Sequence, residues 1–125
     1  MKKIIATQNA PKAVGPYSQA VQVGNTLYLA GQIAINPKTS KMNHGSIEEQ
    51  TVQVLNNIKA VLNEAGFSLN DVVQSQVFLT NLDNYKRMNQ VYARYFTNQP
   101  PARAAVEVSR LPLDAKIEIM VTAVK

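Results

Sequence analysis

Apolar residues recur at helical spacing in the middle of the chain, between Ser46 and Gly66. Residues three and four positions apart share one face of a helix. The positions that follow this spacing are Ile47, Val54, Leu55, Ile58, Val61, Leu62 and Ala65. Ser46 and Glu49 form the Ser-x-x-Glu pattern of a capping box, and Gly66 is the residue type that commonly ends a helix. The pattern therefore predicts an amphipathic helix from Ser46 to Gly66.

A second stripe at helical spacing follows the turn-like residues 81–83 and ends before the Pro pair at 100–101. Its apolar positions are Leu82, Tyr85, Met88, Tyr92, Tyr95 and Phe96. These residues predict a second, shorter helix that buries this stripe.

The remaining apolar runs are typical of β-strands. We expect a hairpin made of residues 20–23 and 26–35, joined by the turn pair Gly24-Asn25, and further strands at 72–80, 103–108 and 116–124. Residues 3–7 alternate weakly and predict an edge strand, while residues 8–19 and 36–45 are expected to be loops, the second with an exposed His44. Gly31 interrupts the second hairpin strand, which indicates either a close approach of a ligand or a packing bend.

The element order is β, β, α, β, α, β, β with an extra N-terminal strand, which predicts one α+β domain over residues 1–125. Two helices cover only one face of such a sheet, yet the strands at 72–79 and 117–124 are apolar on both alternating faces. Large exposed apolar faces are rare on monomers. We therefore expect a closed homo-oligomer in which sheets pack together, with a site built from strand residues between subunits.

Composition excludes several kinds of chemistry. The 125 residues are 46% hydrophobic and 17% charged, include no Cys and contain His44 as the single His. Thiol chemistry, Ser/His/Asp arrangements and His-rich zinc sites are thereby excluded, and no metal site is expected. The apolar run after Lys2 and Lys3 is too short for a signal peptide or a membrane span, so no membrane association and a cytoplasmic location are expected.

The chain is basic, with 13 Lys and Arg against eight Asp and Glu and a net charge of +5. Such a charge favours anionic partners. The basic residues are scattered and do not alternate with aromatics, so a small anion is favoured over nucleic acid.

Two charged residues stand out because apolar residues flank them. Arg103 follows Pro101 and Ala102 and enters the run 104–106, and Glu118 lies within the apolar strand 117–121. Arg offers a planar fork of donors that matches a carboxylate, and a Glu whose pKa is raised by burial exchanges protons near neutral pH. The alternative is that Arg103 pairs only with Glu118 or with Glu107, since buried charges generally pair.

Two further residues are weaker candidates. Tyr17 follows Gly15-Pro16 and either covers a ligand or serves as a packing plug. Asn89 lies beside the stripe of the second helix, where a polar side chain is either solvated or bonded between helices.

Several short motifs, in order and across nearly the whole chain, resemble the RidA family, also called YjgF/YER057c/UK114. The matching segments are 9–11 (NAP), 15–19 (GPYSQ), 31–33 (GQI), 77–79 (VFL), 101–103 (PAR), 106–112 (VEVSRLP) and 116–119 (KIEI). The resemblance implies a chorismate-mutase-like fold, a homotrimer and three ligand sites between subunits.

The activity that the resemblance implies is hydrolysis of reactive 2-enamines and 2-imines, such as 2-aminoacrylate and 2-aminocrotonate, to 2-oxo acids and ammonia. No cofactor is implied. The expected partner is therefore a small imine or 2-oxo acid.

The resemblance also implies roles for individual residues. Arg103 matches the family Arg that holds the substrate carboxylate, and Glu118 matches the acid near the attacking water. Tyr17 matches the Tyr that closes the cleft from the neighbouring subunit, and Gly31 supplies a backbone group. Asn89 matches a family Asn of unspecified role.

The chain departs from many deaminating members at two positions. Ala30 replaces a Ser before the Gly, and Ala105 replaces a Cys two residues after the Arg, although backbone groups at Ala105 still suit ligand contact. These changes favour an alternative function, a non-catalytic binder of small carboxylates with a regulatory role. A second alternative is an RNA-acting translation inhibitor, because the chain is basic and some members of the family it resembles are described as ribonucleases or translation inhibitors.

Overall fold

The computed structural model describes residues 1–125 and contains eight strands and two helices. The strands are β1 (Lys2–Ile5), β2 (Ala20–Val23), β3 (Thr26–Leu29), β4 (Ile35–Asn36), β5 (Lys41–Met42), β6 (Val72–Leu79), β7 (Ala102–Glu107) and β8 (Ile117–Val124), and the helices are α1 (Ile47–Glu64) and α2 (Tyr85–Tyr95). This order confirms the predicted succession of helices and main strands.

Six strands form one mixed sheet in the order β1-β2-β3-β8-β6-β7. All neighbouring strands are antiparallel except β6 and β7, which are parallel and are connected through α2. Both helices lie on the same face of this sheet, where α1 packs against α2 and β8. The predicted α+β fold with two helices on one face of a mixed sheet is therefore confirmed.

Helix α1 begins and ends where the sequence predicts. The Ser46 side chain accepts a hydrogen bond from the Glu49 N–H at 3.1 Å, although the reciprocal bond of a capping box does not form. Gly66 has φ +79°, the left-handed conformation that glycine adopts without strain. The apolar face of α1 is fully buried against the sheet, so burial supplies most of the stability of this helix.

The second hairpin strand is shorter than predicted. Strand β3 ends at Leu29, and the chain then makes only an isolated bridge to β8, through Gln32 and Ile119. Residues 35–36 pair instead with residues 41–42 in a separate two-stranded ribbon, which except for Ile35 lies in the segment 36–45 that was predicted to be a loop. The interruption falls at Ala30-Gly31. The Ala30 N–H still donates to the Gln19 carbonyl oxygen, whereas the Gly31 N–H makes no hydrogen bond and the chain meets β8 again only at Gln32.

The apolar stripe of α2 also differs from the prediction. Leu82 lies in a 3-10 turn before the helix, and both Leu82 and Tyr85 are exposed. Met88, Tyr92 and the unpredicted Val91 are buried instead. The helix begins one turn later than the stripe, so its first residues project beyond the core.

The face of the sheet opposite the helices is uncovered in a single chain. Strand β8 shows the alternation, since its odd-numbered residues are buried under the helices and its even-numbered residues are open. Tyr28, Val106 and Met120 are large apolar side chains exposed on this open face. No helix has the length and apolar character that crossing a membrane requires.

Candidate functional site

Arg103 and Glu118 lie on opposite faces of the sheet. Directly paired residues on neighbouring strands share a face. Ser75 pairs with both Arg103 and the buried Val121, which places Arg103 on the helix side. Glu118 pairs with Phe78, which lies three residues after Ser75 on β6 and therefore on the other face of the sheet. Glu118 thus lies on the open side. The two charges therefore do not meet within one chain.

The Arg103 guanidinium is held by three neutral side chains of α2. Its Nη1 donates to Asn89 Oδ1 at 2.8 Å, and its Nη2 donates to the Tyr85 hydroxyl at 2.7 Å. Its Cζ lies 4.7 Å from the centre of the Tyr92 ring and 5.4 Å from that of Tyr85, which are cation–π distances. Strand β7 thus presents a cation that α2 keeps in one orientation.

No carboxylate of the chain pairs with Arg103. The two ion pairs present join Arg87 to Glu48 and Arg110 to Asp114. Glu107 accepts a hydrogen bond from the Leu82 N–H at 2.9 Å instead. The alternative in which Arg103 pairs with Glu118 or Glu107 is therefore wrong for the single chain.

Beside the guanidinium lies a hollow of about 510 Å³. It is lined by Asn89, Tyr92, Ala93, Phe96, Pro100, Pro101 and Arg103. Burial raises the pKa of Tyr92, so its hydroxyl stays neutral. The hydroxyls of Tyr92 and Ser75 are buried and make no hydrogen bond. This half of the site combines one positive charge with neutral polar groups and an apolar wall.

A second hollow, of about 530 Å³, contains the remaining candidates Tyr17, Gly31 and Glu118. The other residues that line it are Pro11, Lys12, Val14, Gln19, Ala30, Gln32, Ile33, Ile35, Pro112 and Leu113. Burial raises the pKa of Glu118 above its ordinary value, which favours the protonated form. The structure thus brings together three of the predicted residues, and Arg103 and Asn89 lie apart from them.

The Glu118 carboxylate lies so close to residue 31 that only glycine fits there. A Cβ atom at residue 31 would lie 2.9 Å from the Glu118 Cδ and would overlap one carboxylate oxygen. Ala30 and Gln32 donate their N–H groups to Gln19 and Ile119, whereas the Gly31 N–H makes no hydrogen bond. The hollow therefore offers a free backbone donor next to a carboxylate, which suits a polar ligand.

Leu113 forms part of the rim of this hollow and was not predicted. Leu113 and Asp114 both have φ of 55°, a left-handed conformation that Asp adopts more readily than Leu. The Leu113 side chain is also 61% exposed. Its conformation depends on the turn between β7 and β8, for which the sequence contains no glycine as a signal.

The two positions that depart from the family pattern lie in different places. Ala30 lines the Glu118 hollow, so a hydroxyl is missing from that wall. Ala105 shares the face of Arg103 and packs partly against the core, and its side chain lines neither hollow. No three His, Asp or Glu side chains come together as metal ligands.

Sequence reasoning missed the two tyrosines that hold Arg103. Tyr85 and Tyr92 were assigned to the apolar stripe of α2, together with residues of the core. The usable signal is that Tyr85, Asn89 and Tyr92 follow each other at spacings of four and three, which puts their polar atoms on one helix face.

Comparison with known proteins gives consistent matches over the whole chain. A family model described as endoribonuclease L-PSP matches residues 7–125. A RutC family protein of Saccharolobus solfataricus is 56% identical over 125 residues, covering 100% of this chain and 99% of the relative. A 2-iminobutanoate/2-iminopropanoate deaminase of Escherichia coli is 44% identical over 128 residues, covering 100% of this chain and 99% of the relative.

Solved structures agree with these matches. A crystal structure described as a putative endoribonuclease from Thermotoga maritima has a TM-score of 0.98 at 52% identity and covers 100% of this chain and 98% of that chain. The crystal structure of Escherichia coli TdcF with bound serine has a TM-score of 0.95 at 39% identity, with 98% of each chain covered.

Proposed function

The chain belongs to the RidA (YjgF/YER057c/UK114) family, and from that premise we propose that it hydrolyses small 2-enamines and 2-imines to 2-oxo acids and ammonia. The observation that carries this proposal is Arg103, whose guanidinium is oriented by neutral groups and has no acidic partner in its own chain. A fixed, uncompensated guanidinium is suited to a small carboxylate.

The active unit in this proposal is a cleft between two copies of the chain. One copy contributes Arg103 and Asn89, and its neighbour contributes Tyr17, Gly31 and Glu118. This arrangement follows from the position of the two charges on opposite faces of one sheet. The open sheet face with Tyr28, Val106 and Met120 supplies an apolar surface for the association, which we propose is a homotrimer.

The chemistry needs orientation more than covalent help. Arg103 holds the substrate carboxylate, and an enamine first takes a proton from water on its β-carbon to become the iminium ion. Water then adds to the iminium carbon while the Glu118 carboxylate accepts a proton from it, forming a tetrahedral aminoalcohol. Glu118 passes that proton to the amino nitrogen and then takes the hydroxyl proton as the C–N bond breaks, so that ammonia leaves and the 2-oxo acid forms. A raised pKa makes Glu118 a stronger base for this transfer.

In the direct test, a dehydratase acting on serine generates 2-aminoacrylate within the assay, and the release of pyruvate is followed. The wild-type chain should accelerate release, and Arg103→Ala should abolish the acceleration. Arg94→Ala is the matched control, since Arg94 is an exposed residue of α2. No acceleration by the folded wild-type chain would contradict the proposal.

The shared cleft has its own test, which mixes two inactive variants. Arg103→Ala and Glu118→Gln are co-expressed, so that some interfaces pair an intact Arg103 with an intact Glu118. Random mixing in a closed ring leaves about a quarter of the interfaces intact, so about a quarter of the wild-type activity should return. Mixed oligomers without activity would place the site within one chain.

A second candidate is a non-catalytic binder of small carboxylates. Ala30 favours it, because the Glu118 hollow lacks the hydroxyl that many deaminating members place there. In this case the wild-type chain should bind a 2-oxo acid through Arg103 and accelerate the hydrolysis of none of several amino-acid-derived imines.

A further inference from the structure

Tyr85 is the least buried of the three side chains that hold Arg103. It is the first residue of α2, is 39% exposed, and places its hydroxyl 2.7 Å from Nη2 of Arg103. Asn89 lies one helical turn further on and contacts Nη1. The two acceptors therefore lie side by side and take one N–H from each terminal nitrogen of the guanidinium.

Several hydrogen-bond donors at Arg103 and Tyr85 are free to bind a ligand. A guanidinium carries five N–H groups, and these two hydrogen bonds use two of them. The Tyr85 hydroxyl accepts from Arg103 but donates to no group of the chain. Three guanidinium donors and one phenolic O–H thus remain unused at the same place.

We propose that Tyr85 is a second carboxylate-binding residue, which donates its O–H to the anion held by Arg103 and, with Asn89, fixes the plane of the guanidinium. This inference rests on the proposed function, since it assigns Tyr85 to the same substrate. It differs from the sequence-based expectation, which placed Tyr85 in the apolar stripe of α2.

The pH dependence of carboxylate binding distinguishes a binding role of Tyr85 from a purely structural one. The adjacent Asn89 amide and the positive charge of Arg103 lower the pKa of Tyr85 below its ordinary value of 10.0. The other groups at the guanidinium are Asn89, which does not titrate, and Tyr92, whose pKa burial raises. Tyr85 therefore ionises before Tyr92 does. Its phenolate loses the donor and offsets the charge of Arg103, so carboxylate binding should weaken at alkaline pH.

The experiment compares 2-oxobutanoate binding by calorimetry at pH 7 and at about pH 9.5 for the wild-type chain, Tyr85→Phe and Tyr95→Phe. Tyr95→Phe is the control, because the Tyr95 hydroxyl bonds to Asn56 on α1, away from Arg103. Tyr85→Phe should weaken binding about fivefold at pH 7, the effect of one hydrogen bond. It should also remove the further alkaline loss that the wild-type chain and the control show.

The same variants in the imine assay should separate binding from chemistry. Tyr85→Phe should raise KM about fivefold and leave kcat within about twofold, because the carboxylate interaction is the same before and during reaction. Equal binding by Tyr85→Phe and wild type at both pH values would overturn the inference and leave the proposed function standing. A folded wild-type chain that binds no 2-oxobutanoate would overturn the Arg103 clamp itself.

Discussion

At Gly31 the missing side chain is what lets the Glu118 carboxylate lie against the main chain. A Cβ would overlap that carboxylate, which lies beside the unbonded Gly31 N–H. The requirement is one of space, since Gly31 does not have a positive φ. The role of this glycine is therefore to admit a charged group and a ligand.

Replacing Gly31 with Ala should reduce imine hydrolysis at least tenfold, because the carboxylate must move away from the position of the water. The free energy of unfolding should fall by less than about 1 kcal/mol, since the displaced group is the end of a flexible side chain. Kinetics and thermal unfolding measure both effects.

Gly24→Ala is the matched control for that substitution. Gly24 has φ +58°, and no atom lies within 4 Å of the place that an added methyl group would occupy. The change should therefore cost about 1 kcal/mol of stability through its backbone conformation and leave activity unchanged. Equal activity losses in the two variants would contradict the role assigned to Gly31.

Glu118 links stability and activity to pH in opposite directions. Burial raises its pKa in the folded chain above 4.5, so the folded state binds this proton more tightly than the unfolded state does. The stability contribution of the group is therefore largest below pH 4.5 and is lost as pH rises through the folded-state pKa. A proton acceptor at the same position works only above that pKa.

Glu118→Gln should therefore raise the melting temperature at pH 7, lose this advantage below about pH 4, and abolish hydrolysis. Glu49→Gln is the control, since Glu49 is exposed in the first turn of α1, where its charge is favourable. A lower melting temperature for Glu118→Gln at pH 7 would show that the charge is stabilised in the folded chain.

At the scale of elements, α1 holds the segment that carries Gly31. The buried Asn57 side chain donates to the carbonyl oxygens of Ile33 at 3.3 Å and Ile35 at 2.9 Å. It also accepts from the Gln53 side chain at 2.9 Å. A polar residue on the buried face of a helix thus fixes the irregular chain between β3 and β4.

Asn57→Ala should lower the free energy of unfolding by about 2 kcal/mol, because two carbonyl groups lose their donor. It should also lower imine hydrolysis several-fold, since residues 30–33 lose their support. Chemical unfolding and the imine assay check the two effects. Asn63→Ala on the exposed side of α1 should change neither, and a similar loss there would indicate a general effect on the helix.

At the scale of the whole molecule, helices cover one face of the sheet and nothing in the same chain covers the other. The helices bury one face, while Met120, Tyr28 and Val106 leave apolar surface on the other. The same sheet separates the two halves of the candidate site. Because β7 is an edge strand, association of the β7 edge of one copy with the open face of the next would cover apolar residues and bring the halves of different copies together.

Light scattering should therefore report a mass three times the 13.8 kDa of one chain. Met120→Glu should dissociate the assembly and abolish hydrolysis, because an unpaired charge in an interface costs several kcal/mol. Circular dichroism should show that the secondary structure remains. Asn63→Glu on α1 should keep mass and activity, and an active wild-type monomer would contradict both the association and the shared cleft.

Sequence patterns predicted α1 and the long strands β6 and β8 because their signals are local. Helical spacing, a Ser cap and a closing Gly define α1 within about twenty residues. The strand between residues 26 and 35 was predicted too long, because its apolar residues do not show that regular pairing stops at Ala30-Gly31. Tyr85 was assigned to the buried stripe because helical spacing shows which residues share a face of the helix, but does not show how far along that face the core extends.

The sequence by itself determined the order of elements, the fold class and the identity of the charged residues, since these depend on the spacing and chemistry of neighbours along the chain. Only the tertiary structure decided that Arg103 and Glu118 lie on opposite faces. Alternation along one strand shows which of its residues share a face, but the faces of β7 and β8 can be compared only once both strands pair with β6. It also decided that Tyr85 and Asn89 of α2 meet Arg103, because these contacts join residues 14 and 18 positions apart.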